Sequence, residues 1–171
     1  MTGDAVWYEA AFVVGMTNAL NVVADGLPAG ALSGADDRAG DDVRALFADI
    51  RAFYGGEEPA ALRVLAGDPA YAADVWAAVK RAFDDRLLSR RLKESLAFAV
   101  CVTSRSSSGA AFHLGQMCRL GVTDAGVREI VGVTQMFSSY TKIADTLQLD
   151  SDMGDIAPAD STPAPGGPHA R

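Results

Sequence analysis

The sequence contains few of the residues that usually carry metal or redox chemistry. Its 171 residues include two cysteines and two histidines. Cys101 and Cys118 are separated by sixteen residues and lie in apolar helical patterns, so they form neither a CxxC redox motif nor a zinc knuckle. We interpret both as buried free thiols. His169 follows a Pro- and Gly-rich stretch and is interpreted as a solvated residue, so no metal site is expected.

Basic residues and long apolar runs are also scarce. Fifteen Lys and Arg against 22 Asp and Glu give a formal net charge of −7. Duplex binding depends on clustered basic residues, so we expect no nucleic-acid partner. The apolar stretch 5–24 is interrupted by Glu9 and two asparagines and lacks a preceding basic segment. Neither a membrane span nor a secretory signal is therefore expected, and we predict a cytoplasmic protein without a membrane partner.

Alternating apolar and polar residues, the signature of a half-buried strand, are absent. Apolar residues instead recur at three- and four-residue steps, which predicts an all-α fold of six to eight helices. The length fits one domain. We expect a single all-α domain over residues 1–150 and a disordered tail over 151–171, where Pro, Gly and Asp replace large apolar residues.

Capping residues and prolines set the predicted helix limits. A helix over 5–24 and a loop over 25–40 come first. The later limits fall at Asp41 or Asp42, Gly55, Pro59, Asp68 with Pro69, Ser89, Gly121 and Thr123. The helix that starts near Ser89 is predicted to bury Leu92, Leu96, Ala99 and Val100, and both tryptophans, Trp7 and Trp76, are assigned to packing.

The stretch TSRSSSGAAFHLGQMC, residues 103–118, interrupts this helical pattern. Glu94, Ser106, Gly109 and His113 are separated by eleven, two and three residues. A helical hairpin would bring Glu94 and His113 to the same end of the bundle. A carboxylate bound to one imidazole nitrogen prepares the other to move a proton. Alternatively, His113 is structural and Glu94 pairs with a nearby arginine, either Arg90, Arg91 or Arg105.

This spacing resembles the E-x11-C-x2-C-x3-H pattern of the alkyl hydroperoxidase D and carboxymuconolactone decarboxylase superfamily. The segment CRLGVTDAGVREIVGV is similar to its continuation, and the resemblance covers residues 68–147. Ser106 and Gly109 stand where both family cysteines would be. The resemblance implies an AhpD-like bundle that forms a trimer or hexamer, with helices 5–24 and 127–147 as the natural contact faces. Serine and glycine cannot run a thiol cycle, so no peroxidase activity is expected.

The resemblance further implies a carboxymuconolactone decarboxylase-like, cofactor-independent lyase or isomerase acting on a small carboxylate or lactone. Glu94 and His113 are the expected acid–base pair, and Ser106 would orient a substrate oxygen or a water. Arg105 and Tyr140 are candidates for substrate binding. Two alternatives remain open: a non-catalytic binding or scaffold relative on the same fold, and a redox protein that uses its two cysteines.

Overall fold

The structure, a computed structural model, describes residues 3–26 and 40–148. These residues form seven α-helices and no strand, which confirms the all-α prediction. The helices are α1 (Gly3–Gly26), α2 (Asp41–Tyr54), α3 (Ala60–Leu65), α4 (Pro69–Phe83), α5 (Arg90–Ser104), α6 (Ser107–Arg119) and α7 (Asp124–Leu147). None of them combines the length and the hydropathy that a membrane span requires. Most of the predicted loop 25–40, the predicted tail 151–171 and His169 lie outside the described residues.

Several helix ends follow the capping residues in the sequence, but neither Asp41 nor Asp42 caps α2, whose N-cap position is Gly40 without a side-chain hydrogen bond. The Asp68 side chain accepts the backbone N–H of Tyr71 at 3.1 Å, and Pro69 occupies the first turn of α4. Ser89 caps α5 in the same way, and the Thr123 hydroxyl accepts the backbone N–H of Gly126 at the start of α7. Gly55 ends α2 with φ +68°, a left-handed conformation that glycine adopts without strain. The predicted limits at Asp68, Ser89, Thr123 and Gly55 are confirmed.

The described residues fall into two units, divided between Met136 and Phe137. In the first unit, α5 packs against both α1 and α6. Its core contains buried aromatic and aliphatic residues from α1 to α5, including Val13, Phe47, Ile50, Tyr54, Leu62, Trp76, Val79 and Phe83. Trp7, by contrast, is 66% exposed, so its assignment to packing is wrong. It contacts Tyr8 edge to face on the outer side of α1.

Helix α5 buries a different face from the one its leucines predict. The buried residues include Lys93 and Glu94, whereas Leu92 is 45% exposed and Leu96 is only partly covered. Burying a charge is costly unless it is paired. Lys93 forms an ion pair with Glu9 and donates to the Asp84 carbonyl, and Glu94 has partners on both carboxylate oxygens. These partners allow the charged face to point inward.

Helix α7 has no buried residue. In the first unit its exposed apolar residues are Val131, Val133 and Met136, and in the second unit they are Phe137, Tyr140, Ile143 and Leu147. The predicted apolar side of this helix is therefore largely exposed in a single chain, although Val127 and Ile130 are partly covered.

Candidate active site

The candidate site is built on the hairpin of α5 and α6. Helix α5 ends at Ser104, its C-cap residue Arg105 has the left-handed φ of 61°, and Ser106 caps the start of α6. The backbone N–H of Ser106 donates to the Cys101 carbonyl at 3.0 Å and closes the turn. Because the connection is so short, the two helices are close neighbours along their length. Residues of α5 and α6 can therefore meet inside the unit.

Glu94 and His113 meet across this hairpin, as their spacing predicts. Glu94 Oε2 lies 2.7 Å from His113 Nδ1. The other carboxylate oxygen accepts the Arg90 Nε–H at 3.2 Å, so the pairing with Arg90 also forms. Glu94 is completely buried and His113 is 6% exposed. The result is a buried chain of three charged or titratable groups that ends at the imidazole Nε2.

Aromatic rings hold the two ends of this chain in place. The His113 ring stacks on Phe83, with ring centroids 5.6 Å apart, and meets the edge of Phe112 at 5.2 Å. The Arg90 guanidinium lies 3.8 Å above the centre of the Phe53 ring and donates to the Phe53 carbonyl at 3.2 Å. A site that is rigid before the substrate binds needs little reorganisation during the reaction.

His113 opens onto a small cavity of about 30 Å³. This volume accommodates a water molecule or a small polar group. The lining is mostly apolar, from Leu20, Ala24, Tyr54, Pro59, Ala60, Ala61, Gly109 and Phe112, with Asn21, Ser108 and His113 as polar residues. The cavity is thus a narrow apolar recess with an imidazole on its wall.

Sequence reasoning missed two residues of this cavity. Tyr54 occupies an apolar helical position of α2. Burial, and next the Glu94 carboxylate, raise the pKa of the Tyr54 phenol above its ordinary value, with Arg90 acting in the opposite direction, so the phenol stays protonated at neutral pH. Asn21 is buried in α1. The one sequence feature that could have indicated a role for Asn21 is its polar side chain inside an apolar run.

Asn21 also shapes the surroundings of Gly109. Its Nδ2 donates to the Ser104 hydroxyl at 2.9 Å, and its Oδ1 accepts the Cys101 thiol at 3.4 Å. A Cβ atom on Gly109 would lie 2.5 Å from Asn21 Oδ1 and 2.7 Å from Cys101 Sγ. The space next to Gly109 is therefore already filled by two buried side chains.

The remaining predicted site residues lie elsewhere. Ser106 is buried, but its hydroxyl accepts the backbone N–H of Gly109 at 3.3 Å as a helix cap, and it does not line the cavity. Arg105 is exposed at the C-terminal cap of α5. Tyr140 belongs to the second unit and is 72% exposed. The structure thus brings together Glu94 and His113 but does not join these three residues to them.

Both cysteines are free in the structure. Cys101 is buried, and burial raises the pKa of its thiol, with the Asn21 hydrogen bond acting in the opposite direction. Cys118 is exposed, so the prediction that it is buried is wrong. Within residues 3–26 and 40–148, no three His, Cys, Asp or Glu side chains come together in a way that could hold a metal ion.

The hairpin and the bundle can be compared with known proteins. A crystal structure of the alkylhydroperoxidase AhpD core from Rhodospirillum rubrum ATCC 11170 is similar to this chain, with a TM-score of 0.66. The match covers 74% of this chain and 94% of the other, at 24% sequence identity. This chain has the AhpD core fold. The prediction of an AhpD-like bundle is thereby confirmed, although no family model and no curated protein matches the sequence.

Proposed function

We propose that the chain is a cofactor-independent acid–base enzyme in which His113 moves a proton on a small carboxylate or lactone substrate. The supporting observation is the 2.7 Å contact between Glu94 Oε2 and His113 Nδ1, with the imidazole on a cavity wall. When Nδ1–H donates to the carboxylate, Nε2 is left with a free lone pair. That nitrogen is then the general base, and its protonated form is the general acid for the return step.

Charge compensation favours this cycle. When the imidazole accepts a proton, the adjacent Glu94 carboxylate stabilises the imidazolium. In the resting state Arg90 offsets the buried charge of Glu94, with Arg90 Nε 3.2 Å from Glu94 Oε1. Such interactions are stronger in a site with little water than on the surface. The protonated Tyr54 phenol and the Asn21 amide line the same cavity and are candidates to donate to a developing oxyanion.

The size of the cavity limits the substrate. A recess of about 30 Å³ admits the reacting end of a molecule but not a whole lactone ring with substituents. The reacting carbon and its oxygen would therefore enter, and the rest of the substrate would stay outside the recess. We infer that turnover is confined to small, compact acids and lactones.

The decisive experiment screens small acids and lactones against the wild type, His113→Gln and Glu94→Gln. We expect kcat/KM to fall by about 10² or more in His113→Gln, because the proton acceptor is lost. Glu94→Gln keeps a hydrogen-bonding side chain but removes the charge, so a substantial loss is expected there too. The measurement is initial rate against substrate concentration on protein shown to be folded by circular dichroism.

Gln116→Leu is the matched control for these variants. Gln116 is also buried on α6 and donates to the Tyr54 carbonyl at 3.1 Å, but it does not line the cavity. Its loss should lower the free energy of unfolding without changing kcat/KM per folded molecule. Equal rates in the wild type and His113→Gln would refute the proton-transfer proposal.

A non-catalytic binding protein is the second candidate. The observation that favours it is the absence of Ser106, Arg105 and Tyr140 from the cavity lining, which leaves Glu94 and His113 without the substrate contacts that the sequence predicts. This alternative predicts that small acids raise the melting temperature of the wild type while no substrate is consumed. A redox role has less support, because the buried Cys101 thiol has a raised pKa and neither cysteine is in a disulfide.

A further inference from the structure

The first unit has a second, much larger recess. It is an open groove of about 800 Å³ between the first half of α1 and the segment that joins α4 to α5. It shares no lining residue with the cavity at His113. Its volume is in the range of sites that hold small organic ligands. Nothing in the proposed acid–base reaction uses it.

The groove has an apolar wall. Tyr8 and Phe12 are four residues apart on α1 and therefore lie on the same face, and Leu87 contributes from the connecting segment. All three side chains are substantially exposed in the single chain. Aromatic side chains that stay exposed around a concave surface are typical of binding sites.

The groove also carries unpaired positive charge. Arg81 and Arg86 line it, and within the described part of the chain neither guanidinium has an acidic partner. Glu9 is the acidic residue on the lining, but it is paired with the buried Lys93. Among the described residues, these two arginines thus form no salt bridge, on a protein whose net charge is −7. Guanidinium groups recognise carboxylates with paired hydrogen bonds.

The base of the groove is fixed. Glu9 Oε2 accepts the backbone N–H of Leu87 at 3.0 Å and that of Leu88 at 3.3 Å. These bonds attach the segment that carries Arg86 to α1, so the backbone of this segment is held next to the aromatic wall before any ligand arrives. Ordering on binding is therefore confined to the exposed side chains.

We propose that this groove binds an amphipathic organic carboxylate. The carboxylate contacts Arg81 and Arg86, and the aromatic or aliphatic body packs against Tyr8, Phe12 and Leu87. The site is independent of the His113 reaction and would exist even if that reaction were disproved.

Isothermal titration with 2-naphthoate tests the proposal, with uncharged 2-naphthylmethanol as the comparison ligand. We expect saturable binding of the carboxylate with one site per chain and a Kd at least tenfold weaker for the alcohol. Arg81→Gln/Arg86→Gln should weaken naphthoate binding by about tenfold or more, since each lost charged hydrogen bond has an effect of that order. Tyr8→Ser/Phe12→Ser should also weaken it while keeping both arginines.

Arg63→Gln/Arg91→Gln is the matched control. Both arginines are exposed, have no side-chain partner among the described residues, and lie outside the groove. The control removes the same net charge and should leave the Kd unchanged. An equal loss in the control, equal binding of the alcohol, or no binding of naphthoate at millimolar concentration would each overturn the proposal. It would also be overturned if Tyr8→Ser/Phe12→Ser dissociated an oligomer and naphthoate did not bind, because the groove would then be a contact between copies of the chain.

Discussion

Lys93 and Glu94 are neighbours in the chain, and both side chains are fully buried in the first unit. The spacing around the serine stretch predicts the partner of Glu94, because a hairpin connects the two segments. Nothing local predicts the burial of Lys93, since its partner Glu9 comes from the distant helix α1. The exposed Leu92 shows the limit of hydrophobic periodicity: a charged face can be buried when another part of the chain supplies the counter-charge.

Removing the carboxylate of Glu9 tests this pairing. Glu9→Gln leaves a buried ammonium without its counter-ion, so we expect the free energy of unfolding at pH 7 to fall by about 3 kcal/mol. Urea unfolding followed by circular dichroism measures it. Glu9→Gln/Lys93→Met is the control: it removes both charges, and the glutamine can still accept the backbone N–H groups of Leu87 and Leu88. This double variant should recover most of the loss, and failure to recover it would contradict the pairing.

The difference in free energy of unfolding between the wild type and Glu9→Gln should depend on pH, and the pKa of Glu9 gives the direction. Burial by itself would raise that pKa, but the hydrogen bond and charge of Lys93, with the backbone N–H groups of Leu87 and Leu88, lower it below the unfolded value of 4.5. The ion pair therefore stabilises the folded state fully above pH 4.5 and loses its effect as the pH falls through the lower folded value. The gap between wild type and Glu9→Gln should be widest at neutral pH and shrink in acid.

At the scale of secondary-structure elements, the existence of the α5–α6 hairpin could be predicted, but the extent of its turn could not. The sequence predicts a turn over the serine-glycine stretch, whereas the turn in the structure consists of Arg105 and Ser106, and residues 107–109 belong to α6. The close packing beside Gly109 could not be predicted, because Asn21 reaches it from α1. Local sequence specifies where helices begin and end. The space around Gly109, by contrast, depends on α1, which is distant from α6 in the sequence.

Two glycines on α6 provide a test of that packing. Gly109→Ala should lower the free energy of unfolding by about 1–3 kcal/mol, because the added methyl displaces the Asn21 amide or the Cys101 thiol. Gly115→Ala is the matched control on the same helix: an added Cβ there meets nothing within 4 Å. It should raise stability by about 0.5–1 kcal/mol through helix propensity.

Equilibrium unfolding in urea compares the two variants. Gly109→Ala should lower the free energy of unfolding by less in an Asn21→Ala/Cys101→Ala background, because that background lacks the amide and the thiol that the added methyl would displace. If Gly109→Ala were as favourable as Gly115→Ala, the close packing would be refuted.

For the whole molecule, helical periodicity and capping residues are sufficient to predict an all-α bundle, and the AhpD core fold agrees with the resemblance seen in the motif. The structure of a single chain does not explain why the apolar side chains at the end of α7 are exposed. Phe137, Tyr140, Ile143 and Leu147 recur at helical spacing in the second unit, and all four are exposed. Soluble monomers rarely expose contiguous apolar surface of this kind.

We therefore expect these residues to lie at the contact of a homo-oligomer, with a trimer or hexamer as the expected size. Sedimentation velocity at micromolar concentration should show a mass above that of one chain. Phe137→Ser/Tyr140→Ser should shift it toward the monomer, because a specific interface depends on a few buried aromatic residues. Tyr71→Ser, which alters an exposed tyrosine on α4, should not. A monomeric wild type would contradict this prediction.

The occupied space beside Gly109 has a consequence for engineering this hairpin. A cysteine introduced at that position would collide with an amide and a thiol that are joined by a hydrogen bond. Building a cysteine pair at positions 106 and 109 would therefore require a compensating substitution at Asn21 or Cys101, so a design that changes only these two positions should be destabilised.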